Sequence, residues 1–182
     1  MAIRAQVFLC FVFCSTALTS FAQVAPVGAV RPRPQLTIGD TLTVIASPSS
    51  LSFPLVSKGV ATAPSVVVVT TTWTGVSLLS TLKLYAYFTS SSAALSGGTP
   101  VVNIPSSCVL GKDTLGIPTS FTQFTQSGPV AGASLLLYST SSILSLGGSH
   151  TDNLTLQIDL TTIPQLPAAT YTGVLLLQAQ AL

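Results

Sequence analysis

Charge is what this chain has least of. Its 182 residues include six lysines and arginines, four aspartates, one histidine and no glutamate. A surface so poor in clustered cations cannot neutralise a run of phosphates, which excludes nucleic acid as a partner. It also lacks the polybasic patch that holds a protein on an anionic membrane. Glycoside hydrolysis by two facing carboxylates has little to draw on, since Asp40, Asp113, Asp152 and Asp159 are scattered along the chain. Helices are missing from the pattern as well: no stretch carries apolar residues at a 3.6-residue period for three turns.

The first residues read as an export signal. Arg4 supplies a short positive region, Val7–Phe13 (VFLCFVF) is an apolar run too short to span a bilayer, and Thr19-Ser20-Phe21-Ala22 places small residues at the −3 and −1 positions. Cleavage is therefore expected after Ala22, and no membrane span is expected in what remains. Cys10 follows Leu9 and Cys14 follows Phe13, so neither fits a lipoprotein signal. The expected location is secreted or at the cell surface.

Cleavage removes Cys10 and Cys14 and leaves Cys108 alone, with no intrachain disulfide available. Cys108 is expected to be buried as a small hydrophobe; an intermolecular bridge is the alternative. The remaining 160 residues suffice for one domain with a real core. Disorder is excluded, because disordered chains pair low hydrophobicity with high charge, whereas 48% of this chain is hydrophobic.

Residues 23–34 (QVAPVGAVRPRP) form a proline-punctuated arm, which Pro26, Pro32 and Pro34 keep extended. From residue 35 to 182 the chain repeats short β-branched and leucine runs between turn formers. Strands are expected over 36–46 with a bend at Gly39-Asp40, over 52–56 as an edge holding Pro54, over 65–74, 82–89, 101–104, 108–110, 121–125, 134–138, 153–160 and 170–181. Residues 90–100 read as a loop. The period of two puts Leu82, Leu84, Ala86 and Phe88 on one face, and Leu154, Leu156, Ile158 and Leu160 on another. Such strands without helices predict an all-β, antiparallel β-sandwich in one domain, with a closed barrel as the alternative. Residues 65–73 and the closing strand are apolar on both faces and want cover on both, from the chain's own loops or from a neighbouring subunit.

The chemistry on offer is thin. His150, in GGSHTDN, is the one candidate base, with Asp152 two residues on. Gly147, Gly148, Ser149 and Asn153 are turn formers, so both side chains are expected to solvate a turn rather than orient one another. One histidine and one lone cysteine, distant in sequence, do not make a metal site. No calcium loop and no strand–glycine–helix phosphate loop occurs, so no cofactor is expected. Trp73, Tyr85 and Tyr87 are candidates for a sugar-stacking platform if they share an exposed face; otherwise Trp73 belongs to the core and the tyrosines pack on the sheet rim.

Two stretches carry a resemblance. Residues 166–180 (LPAATYTGVLLLQAQ) resemble the closing strand of secreted bacterial Ig-like β-sandwich proteins, and residues 47–74 resemble the opening of the same domains. Fimbrial and spore-coat-type subunits are similar more distantly. The resemblance implies an Ig-like sandwich, a corner tyrosine at Tyr171 whose hydroxyl ties the preceding turn, and a non-catalytic structural or adhesive role at the surface as a homo-oligomer or with other subunits. An extracellular carbohydrate- or ligand-binding module is the alternative. The chain departs from chaperone–usher pilins in two respects: it cannot form their intradomain disulfide, and residues 170–181 read as a complete final strand.

Overall fold

A computed structural model describes residues 7–13, 41–75, 81–140 and 147–182, the first of these as backbone only. The expected strand start at 36–40, with its Gly39-Asp40 bend, and the 23–34 arm lie outside the described residues. Twelve strands are present among the described residues: β1 (Val7–Phe13), β2 (Thr41–Ser47), β3 (Val60–Thr62), β4 (Val67–Thr74), β5 (Leu82–Tyr87), β6 (Leu95–Gly97), β7 (Val102–Ile104), β8 (Val109–Asp113), β9 (Thr122–Gln123), β10 (Ser134–Thr140), β11 (Gly147–Asp159) and β12 (Tyr171–Ala181). Their helical content is one 3₁₀ turn, Ser106–Cys108.

The strands form two sheets packed face to face. The first runs β10-β5-β12, with β6 and β7 beyond and β1 beside β12; the second runs β2-β4-β11-β8-β9, with β3 on β11. Pairing is antiparallel throughout, except that β1 runs parallel to β12. Two separate sheets make this a sandwich and not a barrel.

The core follows the period-two pattern. Val67, Val69, Leu154, Leu156 and Ile158 of the second sheet face Leu82, Leu84, Ala86, Leu135, Leu175 and Leu177 of the first, all buried. Phe88 and Phe124 meet edge to face at 5.2 Å between ring centroids. Cys108 is free and buried. Burial and the Asp159 charge push its thiol up from the usual value, so the reactive thiolate is disfavoured.

Three expectations change. Residues 52–56 are not an edge strand: Leu51, Phe53 and Leu55 turn inward and are buried, and only an isolated bridge at Leu55 remains. Here burial of alternate apolar side chains outweighs ladder pairing. Residues 90–100 are not wholly loop, since β6 lies within them. The strand expected over 153–160 begins six residues earlier, at Gly147, because β4 supplies an unbroken antiparallel partner from Val67 to Thr74. Pairing overrides the turn preference of Gly147, Gly148 and Ser149.

The entry to β12 is fixed by its own motif. Tyr171 is buried and its Oη donates to the carbonyl of Pro167 at 3.1 Å, which ties the turn before the strand. A Cβ at Gly173 would stand 2.1 Å from the Ala94 carbonyl oxygen, so the strand passes that loop only because residue 173 has no side chain. Tyr171→Phe is expected to fold and to lose about 1 kcal/mol, the worth of one buried hydrogen bond, measured by urea denaturation. Gly173→Ala should cost more, because the backbone itself must move.

Candidate functional site

The inner face of the second sheet turns from apolar to polar at one end. Along β11, Ile158, Leu156 and Leu154 give way to Asp152 and then His150; along β8, Val109 and Gly111 give way to Asp113. Asp113 and Asp152 have no solvent exposure, and the His150 side chain retains 25%. Opposite His150 on β4 stands Thr71, also fully buried, with Trp73 next along the same face.

His150 and Asp152 therefore do not solvate a turn. They sit in the middle of the β4–β11 ladder and point into the sandwich, and His150 Nε2 lies 3.0 Å from Asp152 Oδ1. Their spacing of two, which looked too close for one group to orient the other, is the same-face spacing of a strand. Across the core, a bulge in β10 completes the arrangement. The register against β5 slips between Leu136 and Tyr138, so Tyr138 is brought onto the inward face opposite Leu84. Its ring stacks on His150 at 3.7 Å between centroids and 23° between planes.

Asp113 organises the adjoining loop. Its Oδ1 accepts backbone N–H bonds from Leu115 at 2.8 Å, Gly116 at 2.9 Å and Asn153 at 3.2 Å. The carboxylate thus holds the turn after β8 onto β11. Burial is the main cause that pushes the Asp152 carboxyl up to about 6; the His150 ring opposes it, and the Asp113 charge adds to it.

The cluster supplies an acid–base pair but little else that a reaction needs. Among the described residues no hydroxyl or thiol is bonded to His150, and no group of three histidine, cysteine or carboxylate side chains is placed to hold a metal. No helix of the described residues is long and apolar enough to cross a membrane.

The aromatic platform is not assembled. Trp73 faces inward and packs with Leu82, its ring lying against Gly148, where a Cβ would come within 2.6 Å of it. Tyr85 and Tyr87 alternate with the buried residues of β5 and so lie on the outer face of the other sheet. The three rings are on different faces because Trp73 shares the inward parity of Val67 and Val69, whereas the tyrosines have the outward parity of Lys83.

The outer face of the second sheet is a hydroxyl ladder without charge over β2, β4 and the first half of β11. Thr43 bonds Thr72, Thr70 lies 3.5 Å from Thr151 across the next pair, and Gln157 donates to Thr62 at 3.0 Å. Ile45, Val66 and Val68 interrupt it, each at least 40% exposed. The two-sided apolar strand at 65–73 is thus left uncovered on its outer side.

Asp113→Ala should cost about 3 kcal/mol, because three backbone N–H donors lose their acceptor together. Asp113→Asn keeps an acceptor oxygen and should cost clearly less, and urea denaturation of the two variants separates these outcomes. No protein-family model, curated protein or solved structure matches this chain.

Proposed function

We propose that this chain is a secreted, non-catalytic structural or adhesive subunit of a surface assembly, built on an Ig-like sandwich, which associates through the outer edge of β12. One observation carries the reading. Leu176 and Leu177 pair with β5 and also with β1, and Tyr171 and Thr172 pair with β6 and also with β1. Hence β5 and β6 line one edge of β12, and β1 lines the other from Tyr171 to Leu177. But β1 is the apolar run of the expected export signal. Cleavage after Ala22 takes that strand away and leaves seven residues of backbone donors and acceptors beside a hydrophobic core.

An open, charge-free edge of this length is a template for another strand. Natural sheets guard such edges with lysine, proline or bulges, and residues 171–177 contain neither lysine nor proline. The exposed Val66, Val68 and Val174 on the outer faces fit the same reading, since a neighbouring subunit would cover them. The carbohydrate-binding alternative loses its support with the separation of Trp73 from Tyr85 and Tyr87.

The test compares chains beginning at residue 23 and at residue 35 by sedimentation across a wide concentration range. Concentration-dependent oligomers are expected from the chain beginning at Gln23. Val174→Lys, which places a charge beside the edge, is expected to reduce them with the fold intact by circular dichroism. A strictly monomeric chain at high concentration in both forms would overturn the reading.

A further inference from the structure

Two carboxyl groups enclosed in an apolar sandwich need an explanation that assembly does not give. Burying a second like charge beside the first is costly unless a cation or a proton compensates. Asp113 and Asp152 are close together: a Cβ built on Gly116 would stand 2.5 Å from Asp152 Oδ1 and 3.3 Å from Asp113 Cγ, so the two carboxyls flank the same point. Each is satisfied on one oxygen only. Asp113 Oδ1 takes three N–H bonds and Asp152 Oδ1 meets His150, whereas Oδ2 of both residues is buried without a partner. Thr71 Oγ1, fully buried on the same inner face, also has none.

The surroundings offer few charges. The second sheet contributes Asp113 from β8, His150 from β11 and the uncharged Thr71 and Trp73 from β4. The first sheet contributes Tyr138 from β10 and Leu82 from β5, and the turn after β8 contributes the N–H groups of Leu115 and Gly116. Lys83 and Lys112 have the opposite, outward parity on their strands. Lys58 precedes β3, which pairs with the far end of β11, so no lysine among the described residues reaches the pair. His150 is its contact with water, being partly exposed on one side and against Asp152 on the other.

We propose that Asp113 and Asp152 form a one-proton carboxyl pair inside the sandwich, exchanging that proton with solvent through His150, and that its loss loosens the β8–β11 end, so that the domain is tightest in mildly acid medium. The proton resides on Asp152, where it compensates one of the two buried negative charges. Deprotonation releases the proton to water and leaves two enclosed carboxylates whose Oδ2 atoms have no donor.

The direction of the pH effect follows from linkage. A carboxyl whose folded-state value lies above its unfolded one favours the folded state most where it is protonated in both states, and that advantage is lost as pH rises through the folded value. For Asp152 the window runs from the ordinary aspartate value of 3.8 to about 6. Across it the ratio of folded to unfolded protein is expected to fall by up to about a hundredfold.

The test is the urea-unfolding midpoint from pH 4 to pH 8, for the wild-type chain and for Asp152→Asn, which keeps the shape without the charge. The wild type is expected to weaken as pH rises, most steeply between pH 4 and 6. Asp152→Asn is expected to flatten that slope and to exceed the wild type at pH 8. A wild-type midpoint that is constant or rises from pH 4 to 6 would overturn the proposal, and so would an Asp152→Asn slope equal to the wild type's. Should that variant not fold, carboxyl-carbon NMR of the wild type decides: Asp152 must titrate near pH 6, well above Asp159, and titration alongside Asp159 refutes the pair. Calcium is the remaining arm. If calcium chloride at pH 8 restores the stability seen at pH 5, the compensating charge is a metal cation and the one-proton pair is wrong.

Discussion

The polar end of the sandwich is governed by one requirement: a buried carboxylate must find donors. Asp113 finds three, all backbone N–H groups, and in doing so sets the path of residues 114–116 and fastens them to β11. That turn brings Gly116 so near the Leu137 carbonyl that a Cβ would stand 2.3 Å from it, and Ile117 donates to the same carbonyl at 2.7 Å. Leu137 is where β10 bulges, and the bulge is what sends Tyr138 inward onto His150. The ring stack, the His150–Asp152 contact and the join between the two sheets at this end thus form one chain of contacts leading back to a single oxygen of Asp113.

Elsewhere among the described residues no ion pair holds the fold. The apolar inner faces provide the driving force, and burying each leucine is worth roughly 2 kcal/mol. Threonine and serine take the place of charge on the outer face of the second sheet, where their β-branched or small side chains suit a strand and their hydroxyls bond across it. A surface of this kind has little charge repulsion to keep copies apart. That physical property joins the low charge and the exposed valines to the proposal that the molecule is a building unit.

Much of the fold was legible as periodicity. The alternation of residues 82–88 and 154–160 predicts inward faces that are buried as expected, and the corner tyrosine that the resemblance implies at Tyr171 does bond the turn before its strand. The failures share a cause. Leu51, Phe53 and Leu55 alternate like a strand but are stitched into the core without a ladder, and Gly147, Gly148 and Ser149 look like a turn but pair along β4. In both places local preference is weak: burial in the core decides the first, and the neighbouring strand decides the second. The site was half legible: His150 and Asp152 stood out as a pair. Asp113 carried no local mark of its role, because one of its donors, the Asn153 N–H, comes from forty residues further along the chain.

By itself the sequence determined the class of fold, the near absence of charge and the identity of most core residues. These depend on composition and on a period of two, and both are written along the chain. Only the tertiary structure decided which strands are neighbours, that Trp73 and the tyrosines lie on different faces, that β12 has a second edge lined by residues 7–13, and that Asp113, Asp152 and His150 meet inside the core. Those facts depend on register and on a bulge, which are settled by pairing between segments distant in sequence.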